Sequence, residues 1–393
     1  MPALPRTLLQ PLLLEPSRVH RVYRGGALLE RWLGVTNPAD GPQPEAWFGA
    51  VNAARNTGGT TAVEGVGTVI LPEGWQVDGA GLDGSCSMPA LLAAYPEVIL
   101  GAQHLRLHGA TTGILFKVLD SAMRLTVQAH PDKVFAAQHF HSPYGKEECW
   151  VVLATRELDG DPPHVYLGFR EAVEPATLQR WVAEGDVPAL LAVLHKIAVY
   201  PGDVYYVPAG TPHAIGPGLL IAEVQEPTDF TISFDREFGG ALLPDERRFL
   251  GLTMPQALEA VHLAPLSDWS LSHLQRAANP GVVRMTAGQA AATQVARPVG
   301  DGGQDKFWIE LLTVGADDQL LQRAYGTLAI GIVVGGSGAL SSSNGRELPV
   351  RQGQGFLLPA TLGGWQALSG GIGLRLIVCG PQPSGLAGTL GRS

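Results

Sequence analysis

Three stretches of the chain carry side chains of the kind that hold a divalent metal ion. In "LTVQAHPDK", Gln128 and His130 stand two residues apart. In a strand they project from one face, with Arg124 and Thr126 continuing it and Leu125, Val127 and Ala129 opposite. In "HFHSPYGKEE", His139 and His141 share that spacing and are followed by Glu147 and Glu148. In "VYPGDVYYVPAGTPHAIG", Gly202, Pro208, Gly210 and His213 form the spacing G-x5-P-x-G-x2-H. Either upstream set, joined to His213, gives mixed nitrogen and oxygen donors suited to Zn2+ or a similar divalent ion. Spacing leaves both sets open.

The elements that must position these residues are mostly strands. Fifty glycines and 30 prolines against 16% charged residues predict many short elements joined by tight turns. "GILFKVLD", "RLTVQAH" and "CWVVLAT" read as three β-type runs, and Lys117 is the one charge inside the first until its closing aspartate. A lysine in so apolar a run must reach water or an anion. "SMPALLAAYPEVIL" predicts a helix with Ser87 as N-cap and Pro89 in its first turn. The segment at about 174–196 has helical spacing and splits into two short helices at Gly185 and Pro188. A second helical segment, at about 241–275, connects two halves. Val199–Val224 can be laid beside Val350–Val378, matching Gly202 to Gly353 and Pro208 to Pro359, with Gly364 where the first copy has His213. A repeated strand–turn–strand unit predicts two related β-barrels, the second without the histidine.

The 393-residue chain is long enough for two domains. Its formal net charge of -9 argues against nucleic acid as a partner, so an anionic ligand needs a locally basic pocket. Cys86, Cys149 and Cys379 lie too far apart in sequence to suggest a metal-binding pair or a disulfide framework, which fits a reducing, cytoplasmic location. Alternation on the strand beginning at Glu148 makes Cys149 a packed thiol facing away from the ligand side. "MPALPRTLLQPLLLEP" is broken by Pro5 and Pro11 and lacks a signal-peptide pattern, and no apolar stretch is long enough for a membrane span.

The G-x5-P-x-G-x2-H spacing resembles the second conserved motif of the cupin superfamily, in which the histidine is a metal ligand. "FKVLDSAMRLTVQAHPDK", "GKEECWVVLAT" and "YVPAGTPHAI", in this order, look like type I mannose-6-phosphate isomerase, a resemblance running from about Leu8 to Asp235. It implies a mainly β fold of two cupin-type jelly-roll barrels with a short helical insertion and a helical connector. The metal-binding catalytic domain would span 8–240, the connector 241–275 and a second domain without ligands 276–384. Carried over residue by residue, the resemblance makes Gln128, His130, Glu148 and His213 the ligands of one Zn2+ per chain, and leaves His139 and His141 in a loop. It turns Lys117 and Lys146 toward the substrate, a small phosphosugar, with Thr126, Arg124 and Asp229 on the same cavity. Where the family has an arginine this chain has Ser233, and Arg236 is the nearest replacement in sequence. The expected activity is interconversion of mannose 6-phosphate and fructose 6-phosphate through an enediol, by a monomer or homodimer. The alternatives are a catalytically weakened sugar-binding or regulatory cupin and an isomerase of a related sugar.

Overall fold

A computed structural model describes residues 9–55, 63–276, 292–300 and 305–382. The expected domain limits at residues 8 and 384 lie outside these. The protein is mainly β. Among the described residues a seven-stranded and a five-stranded sheet carry the first half, and a ten-stranded sheet carries the second. The first half of the chain is not confined to the first two. Strands Leu12–Glu15, Thr68–Ile70 and Ser85–Ser87 extend the ten-stranded sheet, through Leu13 opposite Phe356.

The two smaller sheets hold the metal-type residues between them. In the seven-stranded sheet, Leu219–Gln225 lies between Leu115–Ser121 and Glu148–Thr155, with Glu223 opposite both Lys117 and Trp150. In the five-stranded sheet, His213–Ile215 and Ile232–Ser233 flank Gln128–Ala129, so that Gln128 stands opposite His213 and Ser233. Alternation gives each strand two jobs. Leu119, Trp150, Val152 and Ile221 pack inward against Val165, Leu167 and Ile215 of the facing sheet. Their neighbours Phe116, Val118, Cys149, Val151 and Ala222 pack outward in a core shared with Ile332, Phe356 and Ile377 of the ten-stranded sheet. Strands buried on both faces read as continuous apolar runs, which is why an internal lysine or glutamate stands out.

Helices cover the far face of the five-stranded sheet. Pro175–Glu184 and Val187–Ala192 form as expected, parted by Gly185 at a φ of 72° that favours glycine, and Leu178, Val182 and Leu190 pack on Val127, Ala129 and Ile232. The insertion ends as a strand, Leu194–Ala198. The connector holds three short helices, Asp245–Arg248, Met254–Leu258 and Asp268–Leu274. Ser87 caps Met88–Ala94 as expected, but the helix stops at Tyr95 and Pro96 opens a second one. The two repeat copies correspond at their opening turn and strand, after which the first has two strands, His213–Ile215 and Leu219–Gln225, where the second runs as one, Trp365–Pro381. Gly202 and Gly353, at φ of 99° and 87°, each precede a four-residue strand, Val204–Val207 and Gly355–Leu358.

"RLTVQAH" forms a shorter strand than its alternation suggests, with only Gln128–Ala129 in the ladder. The carboxylate of Asp235 takes the Val127 N–H at 2.7 Å and the Arg124 guanidinium, so a side chain stands where a neighbouring strand would pair. "HFHSPYGKEE" also differs. Lys133–Phe140 is a helix capped by Asp132, with His139 in its last turn and His141 as a left-handed C-cap, so neither a strand nor a loop describes it.

The strand bearing Lys117 also anchors the N-terminal segment. Helix Ala27–Leu33 begins at Gly26, which has no capping side chain. Asp120 Oδ2, distant in sequence, accepts from the N–H groups of Gly26, Leu28 and Leu29 at 2.9, 2.6 and 3.2 Å. Asp120→Ala leaves these buried donors unsatisfied and is expected to cost about 2–4 kcal/mol in urea unfolding, and Asp120→Asn less, because its amide oxygen still accepts.

Candidate metal centre

Three strands and one loop converge on the space between the two smaller sheets. His130 follows Gln128–Ala129, Glu148 opens its strand and His213 opens the strand facing Gln128. Their donor atoms all lie within 4.8 Å of one another, and all three residues are buried. Glu148 Oε2 is 3.2 Å from His130 Nε2, and its Oε1 is 3.3 Å from His213 Nε2. Each imidazole is oriented from behind. His130 Nδ1 donates to Phe230 O at 2.8 Å and His213 Nδ1 to Thr211 O at 2.8 Å. A carbonyl can only accept, so both protons sit on Nδ1 and both Nε2 lone pairs face inward, as metal-ligating histidines require.

Burial keeps both rings neutral. Desolvation and the Lys146 ammonium push His130 down to about 3, and desolvation lowers His213 against the pull of Glu148. Burial alone would raise Glu148, but the Lys146 ammonium, donating to its Oε2, holds it well below the usual carboxylate range. Two neutral imidazoles and an ionised carboxylate are the protonation states a divalent ion needs. The residues present therefore fit such an ion. Gln128 completes the ring, its Nε2 3.2 Å from His213 Nε2 and its Oε1 accepting from Thr126 Oγ1 at 3.2 Å.

A charged cavity, open to solvent, adjoins the cluster. Gln128, Thr126, Lys117, Lys146 and Asp229 line it. Lys146 Nζ donates to His130 Nε2 and Glu148 Oε2, both at 2.8 Å. Lys117 is 3.2 Å from Glu223 and 4.0 Å from Glu45, whose charges outweigh burial and raise it. Sequence reasoning missed three further members, Arg21, Glu45 and Glu223. Glu45 accepts from Arg21, Tyr23 and Trp47. Burial pushes its carboxyl up, but Arg21 and Lys117 bring it down to about 2. Glu223 behaves in the opposite way, raised to about 7 by burial first and the Glu148 charge second. The sequence signal for it was available, since Glu223 is the one charge in the strand "LLIAEVQ".

Two expected residues are not brought in. Arg236 is exposed, donates to Ala183 O at 3.4 Å and lines a separate surface hollow. The step from Ser233 to Arg236 is odd, and an odd step along extended chain points to the opposite side. Arg124 is held by Asp235 and Leu125 O, away from the cavity lining. Asp229 does line the cavity, but it is bound to Arg21 at 3.1 Å and to the Arg55 N–H at 2.9 Å. His139 and His141 stand outside the ligand cluster.

A mannose-6-phosphate isomerase of Streptococcus mutans is 30% identical over 259 residues, spanning 64% of this chain and 68% of that one. The chain belongs to the mannose-6-phosphate isomerase family. Another member, ManA of Bacillus subtilis, is 35% identical over 126 residues, 32% of this chain and 38% of that one. The crystal structure of the Bacillus subtilis mannose 6-phosphate isomerase superposes with a TM-score of 0.65 over 94% of this chain and 99% of that one, a likeness of fold at 20% identity. No family model matches the sequence. In this member of the isomerase family no helix among the described residues is long and apolar enough to cross a membrane, and Cys86, Cys149 and Cys379 are buried and unpaired.

His130→Ala and His213→Ala should each lower the bound divalent ion from about one per chain to near zero, because a ligand is lost outright. His139→Ala should keep it. Plasma mass spectrometry of the three purified variants reads the difference.

Proposed function

We propose that the protein interconverts mannose 6-phosphate and fructose 6-phosphate at this cavity, with Zn2+ held by His130, Glu148, His213 and Gln128. The observation that carries the reading is a buried His–Glu–His cluster, its donor atoms within 4.8 Å of one another, beside a cavity where two buried ammonium groups lie 3.2 and 3.9 Å from the Glu223 carboxylate. For Gln128 to ligate through oxygen its amide must turn over. Thr126 permits this, because a hydroxyl that now donates can accept from the amide NH2 instead.

Aldose–ketose isomerisation moves one proton between C1 and C2 and shifts the carbonyl, by way of an enediol. The bound ion would supply an electrophile that polarises the carbonyl and hydroxyl oxygens. The chain's own residues carry the protons. Glu223 has the pKa of a base active near neutrality, and its Oε1 lacks a hydrogen bond. Lys117 and Lys146, 3.2 and 3.9 Å from that oxygen, offer ammonium protons to the substrate oxygens that gain charge. Trp150, Leu119 and Leu125 give this end an apolar wall.

A sugar-binding protein without turnover is the second reading. Ser233 favours it, since a neutral hydroxyl lines the cavity at the position where the sequence resemblance expects a cation.

A coupled assay of the metal-loaded protein for fructose 6-phosphate decides between the two. Lys117→Ala, Lys146→Ala and Glu223→Gln should each lower kcat/KM by about 100-fold or more while retaining metal. The pH dependence follows from Glu223. A bound divalent ion offsets the Glu148 charge but leaves the burial, so the acid limb of kcat/KM should lie between the ordinary 4.5 and about 7. Activity falls as pH drops through that value because the base becomes protonated, and Glu223→Gln should abolish the limb rather than move it. Absence of turnover with Zn2+, Mn2+ and Co2+ would leave the binding reading standing.

A further inference from the structure

Five basic residues line the cavity: Arg21, Lys117, Lys146, Arg247 and Arg248. Four are committed to partners. Arg21 is bound by Asp229 and Glu45, Lys117 by Glu223 and Glu45, and Lys146 by Glu148 and His130. Arg248, buried, donates to Val182 O and Phe234 O at 3.0 Å and to Asp245 at 2.8 Å. Arg247 differs. It is exposed, on the short helix Asp245–Arg248, and among the described residues no carboxylate or carbonyl pairs with its guanidinium.

We infer that Arg247 anchors the anionic end of the ligand at the mouth of the cavity while its reacting end lies against Glu223 and the histidine cluster. The assignment rests on the isomerase reading for the ligand's identity as a phosphosugar, and on the cavity for its polarity. The cations of the floor are already paired with Glu45, Glu148 and Glu223, so a dianion placed there would have to displace those carboxylates. At the mouth a solvated guanidinium gains a charge-assisted, forked contact at little desolvation cost. Arg247 is thus a substrate-positioning residue, distant from the atoms that react.

The test uses the full metal-loaded chain with mannose 6-phosphate. Arg247→Ala should raise KM by about 10- to 100-fold and change kcat by less than about threefold, and Arg247→Lys should recover most of the loss. Calorimetric titration of mannose 6-phosphate should show the same order of affinities, whether or not the sugar is turned over. That separates the two ideas. A wild type that binds the phosphosugar and loses it on Arg247→Ala supports the anchor even if isomerisation fails, whereas unchanged affinity and KM in Arg247→Ala overturn it. Equal losses in Arg247→Ala and Arg247→Lys would also overturn it, because charge would not be the cause.

Discussion

The burial of charge between two sheets is the constraint on which the rest of this structure depends. Arg21, Lys117 and Lys146 lie in a dry interior with Glu45, Glu148, Glu223 and Asp229, three cations against four carboxylates once both imidazoles are neutral. Isolated, any of these ions would cost several kcal/mol to bury. Even with this pairing, burial first and the Glu148 charge second leave the Glu223 carboxyl raised. Protonation of Glu223 or arrival of a cation relieves that crowding of carboxylates. The same arrangement of buried charge thus suits the chemistry proposed for it.

Much of this was legible in the sequence because the strands are buried on both faces. In a run such as "GILFKVLD" or "LLIAEVQ" a single charge has nowhere to hide, so Lys117 was visible and Glu223 should have been. Spacing left Gln128 and His130 open against His139 and His141, and the family resemblance chose Gln128, His130, Glu148 and His213, which come together. Arg21 and Glu45 were not, because their significance lies in contacts with Asp229 and Lys117, far along the chain. The mainly β character was legible in glycine, proline and alternation. The crossing of N-terminal strands into the ten-stranded sheet was not, since nothing local in "LLLE" says which edge it joins.

The two misplaced arginines have separate causes. Alternation places Arg124 on the inward face only if the strand extends to it, but the ladder holds Gln128–Ala129 alone and the Asp235 carboxylate takes both the Val127 N–H and the Arg124 guanidinium. Arg236 follows that same aspartate and is turned outward. The buried carboxylate thus holds one guanidinium, and strand parity turns the other outward. The cation the cavity does present, Arg247, belongs to the helical connector and carries no strand signature at all.

The ten-stranded sheet has no part in the ligand cluster, yet it fixes where the ligands point. Glu148 and Trp150 face the cluster because Cys149 and Val151 are buried on the other side, in the core shared with Ile332, Phe356 and Ile377. A one-residue slip of this strand would send Glu148 into that core and Cys149 toward the histidines, and each exchange would bury an unpaired group. The apolar core behind the strand therefore acts on the metal centre through register. Trp150 adds a second lock, since its Nε1 donates to Glu148 Oε1 at 3.0 Å and holds the carboxylate on the side where the imidazoles converge. Packing behind the sheet and hydrogen bonding in front of it specify the same rotamer and the same register. That agreement is what lets an ionised glutamate wait in a dry interior within reach of two neutral histidines.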